Sequence, residues 1–306
     1  MSRGLGDVYK RQRVLERGKT TMNGPHQGGW IHTKYGEDWF IHFQDKGPYG
    51  RVCHLQPVDW SSGWPVIGNA GEPYWKFRKP KSDSKTIVNP VETDEFDSSK
   101  LGMQWQWQND YKESYGQATS MGFFRLFTYA LPELGDVSNL WYVPNMLLQK
   151  TPADEFTATT KLSFCSRNSD QYVGLVCMSA EYSSVGLQRT EDGYELQIRH
   201  NPNAMRTHLT DEVLTVDTLK PTQKGTPRKG RPAEMHIKDV YLRMSIKDSK
   251  VNYAYSIDGK KWKKAGGEYA MGKGRWIGSK IGFFAVDPNK TGRKGFIDID
   301  WFRISR

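Results

Sequence analysis

Apolar and polar positions alternate with a period of two along much of the chain. In "FTATTKLSF", Phe156, Ala158, Thr160, Leu162 and Phe164 fall on one side, with Thr157, Thr159, Lys161 and Ser163 on the other. That is the pattern of a strand with one buried face. "YVGLVCM", "YELQIRH", "VYLRMSIK", "VNYAYSIDGKKW", "KIGFFAV" and "GFIDIDWFRI" follow, each rich in β-branched and aromatic residues and bounded by turn formers. Helical periodicity is nearly absent, so the pattern predicts an all-β protein. Asp258-Gly259 marks a hairpin, because glycine accepts the positive φ of a tight turn. In "MQWQWQ", Trp105 and Trp107 share one strand face and the glutamines 104, 106 and 108 the other.

These strands recur at intervals suited to two antiparallel sheets packed face to face. The fold predicted for residues 93–306 is a jelly-roll β-sandwich of concanavalin type. A smaller set precedes it: "GGWIHT", "EDWFIHFQ" and "GRVCHLQPVDW", with turns at Tyr35-Gly36 and Gly47-Pro48. Three short strands so spaced make a meander the size of one propeller blade. Residues 13–68 are therefore expected to be blade material. From Trp64 the pattern breaks up around Pro65, Pro73, Pro80 and Pro90, among many Lys and Ser residues. Residues 69–92 read as an extended linker between two domains.

Composition refines this picture in three places. Length, at 306 residues, allows two domains with cores of their own. Aromatics reach 13%, including eleven Trp and fifteen Tyr, which suits a β-rich core or flat faces in grooves that stack on ring-shaped ligands. Net charge is +10, of which the first twelve residues carry +2 through Arg3, Lys10 and Arg11 against Asp7. The densest basic cluster, "KPTQKGTPRKGR" at 220–231, has the Pro, Gly and Thr content of a solvated loop; a polyanion-binding role is its alternative. Cys53, Cys165 and Cys177 form neither a disulfide framework nor a zinc spacing. Cys165 and Cys177 lie in neighbouring predicted strands, where pairing and buried free thiols are both open. No apolar stretch reaches the length needed to cross a bilayer. Periplasm, exterior and cytoplasm all stay open as compartments.

One segment is more specific. In residues 23–68, "Gly24-Pro25-His26-Gln27-Gly28" is followed by a strand pair, then Gly50-Arg51, then Leu55-Gln56-Pro57 with Trp60 and the tail "GWPVIG". This resembles the last propeller blade of glycoside hydrolase family 43, which includes β-xylosidases and α-L-arabinofuranosidases. The sandwich, with "WQWQ" early and "FIDIDWFRI" at its end, is similar to the carboxy-terminal domain many of those enzymes carry. The resemblance runs from about Arg13 to Arg306.

The resemblance implies a five-bladed propeller and inverting, exo-acting hydrolysis of a terminal pentose. One carboxylic acid protonates the leaving oxygen while a carboxylate activates water on the other face, the two about 6.5–9.5 Å apart. A third carboxylate tunes the acid. The family places all three in earlier blades, and none of Glu16, Glu37, Asp38, Asp45, Asp59 and Glu72 stands in such a context; surface or turn roles are expected for them. Two residues carry over. His26, in its Gly-flanked turn, matches a histidine near the propeller axis and the sugar subsite. Arg51 matches an arginine that donates to sugar hydroxyls, with a blade-edge ion pair as its alternative. Trp276, in "RWIGSKIGFF", falls where some members project a phenylalanine into the active site; core packing is the alternative. His32, His42 and His54 are expected on a polar face.

Asp298 and Asp300 sit two apart on one strand, and with Asp94 or Asp97 opposite they suggest a structural Ca2+ site. A solvated strand face is the plainer alternative. The chemistry itself needs no cofactor. Expected partners are xylan- or arabinan-derived oligosaccharides, with neither nucleic acid nor membrane among them.

The opening "MSRGLGDVYKRQ" has no apolar run and is no secretory signal. Asp7 to Gln12 reverse-translates to a string like the mosaic end of a transposon adaptor, so residues 1–12 are expected to be a sequencing artefact. The protein would then be the carboxy-terminal part of a longer enzyme, inactive alone, whose missing blades are its natural partner. A stand-alone carbohydrate-binding module is the second reading and a basic polyanion binder the third.

Overall fold

The computed structural model describes residues 14–22, 27–86, 88–131, 139–205, 209–228, 230–274, 276–289 and 292–306. The adaptor-like residues 1–12 and His26 lie outside the described residues. Two compact units divide between Asn89 and Pro90.

The first unit is built on a four-stranded antiparallel sheet of β1 (Gly28–His32), β2 (Asp38–Asp45), β3 (Arg51–Asp59) and β4 (Val66–Ile67), in that order. Three of these strands match the predicted meander. The fourth comes from the "GWPVIG" tail, where Val66 and Ile67 pair with Asp59 and Val58. Four strands is the usual make-up of a propeller blade. The proline-rich stretch that follows has no helix or strand among its described residues beyond the Asn69–Glu72 bridge, yet it is anchored to the sheet. Tyr74 N–H donates to Gln56 Oε1 at 2.7 Å, Phe77 packs edge-on against Trp39 with centroids 5.9 Å apart, and Arg78 pairs with Glu37 at 2.5 Å. Trp39 is thereby buried, although it sits on a sheet face that is otherwise exposed.

The second unit runs through β5 (Gln106–Trp107), β6 (Gly116–Ala118), β7 (Phe124–Phe127), β8 (Tyr129–Ala130), β9 (Leu147–Lys150), β10 (Phe156–Ser166), β11 (Tyr172–Met178) and β12 (Tyr182–Arg189). It continues with β13 (Tyr194–Asn201), β14 (Glu212–Leu219), β15 (Gln223–Lys224), β16 (Met235–Lys247), β17 (Lys250–Ser256), β18 (Lys263–Ala270), β19 (Lys280–Asp287) and β20 (Phe296–Ser305). One sheet has the order β18-β17-β16-β10-β20-β7-β6, with β15 beside β16; the other has β14-β13-β12-β11-β19-β9-β5, with β8 beside β19. Non-sequential neighbours such as β10 and β20 close the sandwich with its last strand at the centre of a sheet.

Alternation sets which side chains fill the space between the sheets. Every second residue of β10 from Phe156 to Phe164 is buried, as the sequence pattern predicts. Leu162 and Phe164 of that sheet are buried, as are Phe283 and Ile281 of the other. Burying each such side chain contributes about 1.5–3 kcal/mol. Gly174 and Gly186 stand directly opposite on β11 and β12, and a Cβ on Gly174 would lie 2.2 Å from the Val185 carbonyl oxygen. Any larger residue there would force those strands apart.

The turns divide instructively. Asp258-Gly259 does join a hairpin, β17 to β18, but through residues 257–262 rather than a two-residue turn. Gly259 has φ 70°, and the Asp258 carboxylate accepts from the N–H groups of Lys260 and Lys261 at 2.8 and 2.7 Å, which holds its pKa down to about 2. The tighter turn joins β16 to β17 through Asp248 and Ser249, with φ 50° and 59°. Positive φ at both positions matches the right-handed twist of the flanking strands. Without a glycine it carried no signal. All three cysteines are free, and Cys165 and Cys177 lie in different sheets.

Candidate functional site

In the first unit the β2–β3 connection fixes Arg51. Gly47 N–H donates to Asp45 Oδ1 at 3.0 Å, and Lys46 N–H donates to the Gly50 carbonyl at 2.8 Å. Gly50 has φ 76° and ψ −151°, a conformation that only glycine adopts readily. Arg51 then opens β3 opposite Asp45, and its guanidinium lies 4.2 Å from the centroid of the Phe43 ring. A ring under the guanidinium holds the planar fork, with Nε itself buried. Phe43, which sequence reasoning missed, comes under Arg51 only through the cross-strand register.

The other face of this sheet is more closed. His42 and His54 are direct cross-strand partners, with rings 5.5 Å apart and 23° from parallel. Burial pushes both imidazole pKa values down, so the neutral forms dominate near pH 7. His42 is buried, which departs from the polar-face expectation, and Gln44 and Gln56 are buried beside it on the same face. His32 does stand exposed, 2.8 Å from Asp38. Four acids of this unit, Glu37, Asp38, Asp45 and Asp59, serve locally. Asp45 and Asp59 cap turns through Gly47 and Ser61 N–H groups, and Glu37 takes Arg78 and the Lys81 N–H.

Trp276 lies between β18 and β19 and is 60% exposed, with Ile277 beside it at 53%. Core packing is therefore not its role. Gly278, at φ 70°, and the Ser279 hydroxyl, which donates to the Gly272 carbonyl at 2.8 Å, shape the loop around it.

The three carboxylates of the calcium expectation take separate partners. Asp298 makes a two-pronged bond with Arg125, Asp300 pairs with Lys161 at 2.9 Å, and Asp94 accepts from Trp105 Nε1 at 2.7 Å and Gln104 at 3.2 Å. A Ca2+ site needs six to eight oxygens, and two of these acids face cations of the chain instead. Among the described residues, one constellation does gather three metal-type ligand atoms: Cys165, Glu234 and His236. It joins β10 to β16, and the sequence concealed it because Cys165 and His236 are 71 positions apart. The basic cluster at 220–231 is largely exposed; Lys224 pairs with Asp192 at 3.2 Å and Arg228 bridges Arg231.

With this geometry in hand, known proteins place the chain. Residues 93–305 match the model of the β-xylosidase C-terminal concanavalin A-like domain. The chain belongs to glycoside hydrolase family 43. A putative β-xylosidase of Xylanibacter ruminicola is 31% identical over 288 residues, which is 92% of this chain and 48% of that protein. A β-xylosidase of Formosa agariphila is 28% identical, covering 96% of this chain and 50% of its own length. Among solved structures, a family 43 protein from Bacillus licheniformis superposes with a TM-score of 0.72 at 25% identity, over 95% of this chain and 55% of that one. The chain spans about half the length of these family 43 relatives.

Proposed function

We propose that this chain is the carboxy-terminal portion of an inverting, exo-acting glycosidase that removes terminal xylose or arabinofuranose from plant hemicellulose. The observation that carries the reading is the 31% identity to a putative β-xylosidase across 92% of this chain but only 48% of that relative. Relatives named β-xylosidase and α-L-arabinofuranosidase support the substrate class. The acid and the base come from blades of the same polypeptide outside these residues: Glu37, Asp38, Asp45 and Asp59 serve turns and ion pairs, and neither Glu16 nor Glu72 stands in the family's catalytic context. Arg51, on its Phe43 platform, donates to two adjacent sugar hydroxyls, which a planar fork does and an ammonium does not. Trp276 offers an exposed indole to a sugar face, and His26, by its match to the family's turn, is a further sugar contact.

The test has two stages. Sequencing the source DNA across the codon for Arg13 should show the reading frame continuing upstream through further blades. The extended chain should then hydrolyse aryl β-xylosides or aryl α-L-arabinofuranosides with inversion, while the 306-residue chain turns over neither. Turnover by the 306-residue chain alone would overturn the assignment of the carboxylates.

A further inference from the structure

We propose that Cys165, Glu234 and His236 form a binding site for a divalent transition-metal ion of the zinc class on the β-sandwich. Cys165 lies near the end of β10 and faces His236 of β16 directly in the ladder, while Glu234 immediately precedes β16. Their ligand atoms all lie within 4.8 Å of one another. Cys165 Sγ is 3.5 Å from His236 Nε2, and that nitrogen is 2.9 Å from Glu234 Oε1. A tetrahedral zinc, with bonds of about 2.3 Å to sulfur and about 2.0–2.1 Å to nitrogen, sets those two atoms about 3.5 Å apart. The same geometry sets nitrogen and oxygen ligands about 3.4 Å apart, so Oε1 opens away from Nε2 by about half an ångström.

Convergence on a single nitrogen is the decisive feature. Nε2 carries either one hydrogen or one lone pair, so it serves the thiol or the carboxylate but not both. A cation at the centre takes a lone pair from all three. Arg167 Nε donates to Glu234 Oε2 at 2.7 Å, which fixes the carboxylate and leaves Oε1 turned toward the imidazole. Cys165 and His236 also line a cavity of about 210 Å3, which supplies a route of entry and room for water as the fourth ligand. Asp298 and Asp300 line the same cavity but are held by Arg125 and Lys161. Sulfur and nitrogen donors select zinc-class ions over calcium or magnesium. Binding releases the Cys165 thiol proton to solvent.

Cobalt(II) is the probe, used on the whole chain with Cys53 replaced by Ser so that the exposed thiol cannot contribute. About one cobalt per chain should bind and give a sulfur-to-cobalt charge-transfer band that zinc removes and calcium does not. C165S should abolish the band, and H236Q should weaken binding about tenfold or more. Thermal melts without metal check that each variant is folded, and H236Q serves where C165S is not. A parent chain without the band overturns the proposal. So does a band that survives C165S, or cobalt affinity unchanged in H236Q.

Discussion

Arg125 on β7 and Asp298 on β20 meet in a two-pronged ion pair, Nε to Oδ1 at 2.7 Å and Nη2 to Oδ2 at 2.8 Å. The strands are adjacent and the two residues are direct partners in the ladder. The guanidinium also lies 3.9 Å from the Phe296 ring centroid, so one arginine of β7 ties to itself an acid and a ring of β20. Both side chains are about three-quarters buried. Arg125→Ala leaves Asp298 without its cation in a poorly solvated place. The expected loss is about 1.5–3 kcal/mol of unfolding free energy by urea denaturation. Calcium should leave the melting temperature of the parent unchanged; a rise that Asp298→Asn abolishes would restore the calcium reading.

Asp211 gives the sandwich a pH dependence of definite sign. Its side chain is 3% exposed, accepts from Tyr182 and Asn201, and has Arg199 at 4.0 Å, beyond hydrogen-bond reach. Burial dominates and raises its pKa above the ordinary carboxylate value. The native state therefore holds the proton more tightly than the unfolded chain. That contribution is fully present below the unfolded pKa of about 3.9 and is lost as pH rises through the higher native value. The stability difference between the parent and Asp211→Asn should fall as pH rises above about 4. A difference that stays flat from acid to neutral pH would show that folding does not shift the Asp211 pKa, and one that rises with pH that folding lowers it.

Arg51 is the functional prediction of the first unit. In the extended enzyme, Arg51→Lys keeps the charge but loses the fork and the stacking on Phe43. The expected effect is a fall in kcat/KM of about tenfold or more on aryl glycosides, with unchanged folding. Phe43→Leu should act in the same direction and less strongly, because it leaves the fork present but unsupported. A kcat/KM within about twofold of the parent for Arg51→Lys would reduce Arg51 to a structural cap on Phe43.

Much of this architecture was legible because burial and alternation coincide. In β10 every predicted inward residue from Phe156 to Phe164 is buried, and the hairpin dipeptide singled out, Asp258-Gly259, does join two strands. What the pattern missed depends on register or on position in space. The Asp248–Ser249 turn reaches positive φ with no glycine to announce it. Asp298 and Asp300 read as a metal pair by spacing alone, but the cations that hold them, Arg125 and Lys161, come from β7 and β10. Phe43 under Arg51, and Cys165 beside His236, likewise become neighbours only when the ladders form. Trp276 was ambiguous between core and subsite until its exposure decided against the core.

The first unit carries an apolar face that its described residues leave exposed. Ile41 and Leu55 are direct cross-strand partners, 39% and 38% exposed, and Ile31 at 43% continues the same face from β1. On that face Trp39 is closed over by Phe77 and Arg78, and Phe43 is overlaid by Arg51. A propeller blade normally packs such a face on its neighbour, and contiguous apolar surface left in water promotes association. The 306-residue chain should therefore bind a hydrophobic dye and self-associate as concentration rises. Ile41→Lys combined with Leu55→Glu places opposite charges on facing positions and so preserves the strand pair. That variant should lose dye binding and self-association by light scattering, while the unfolding of the sandwich stays as in the parent. Persistence of self-association in the double variant would move the sticky surface elsewhere, with Trp30 and Trp60, whose rings lie 5.3 Å apart near the opposite face, the next pair to substitute.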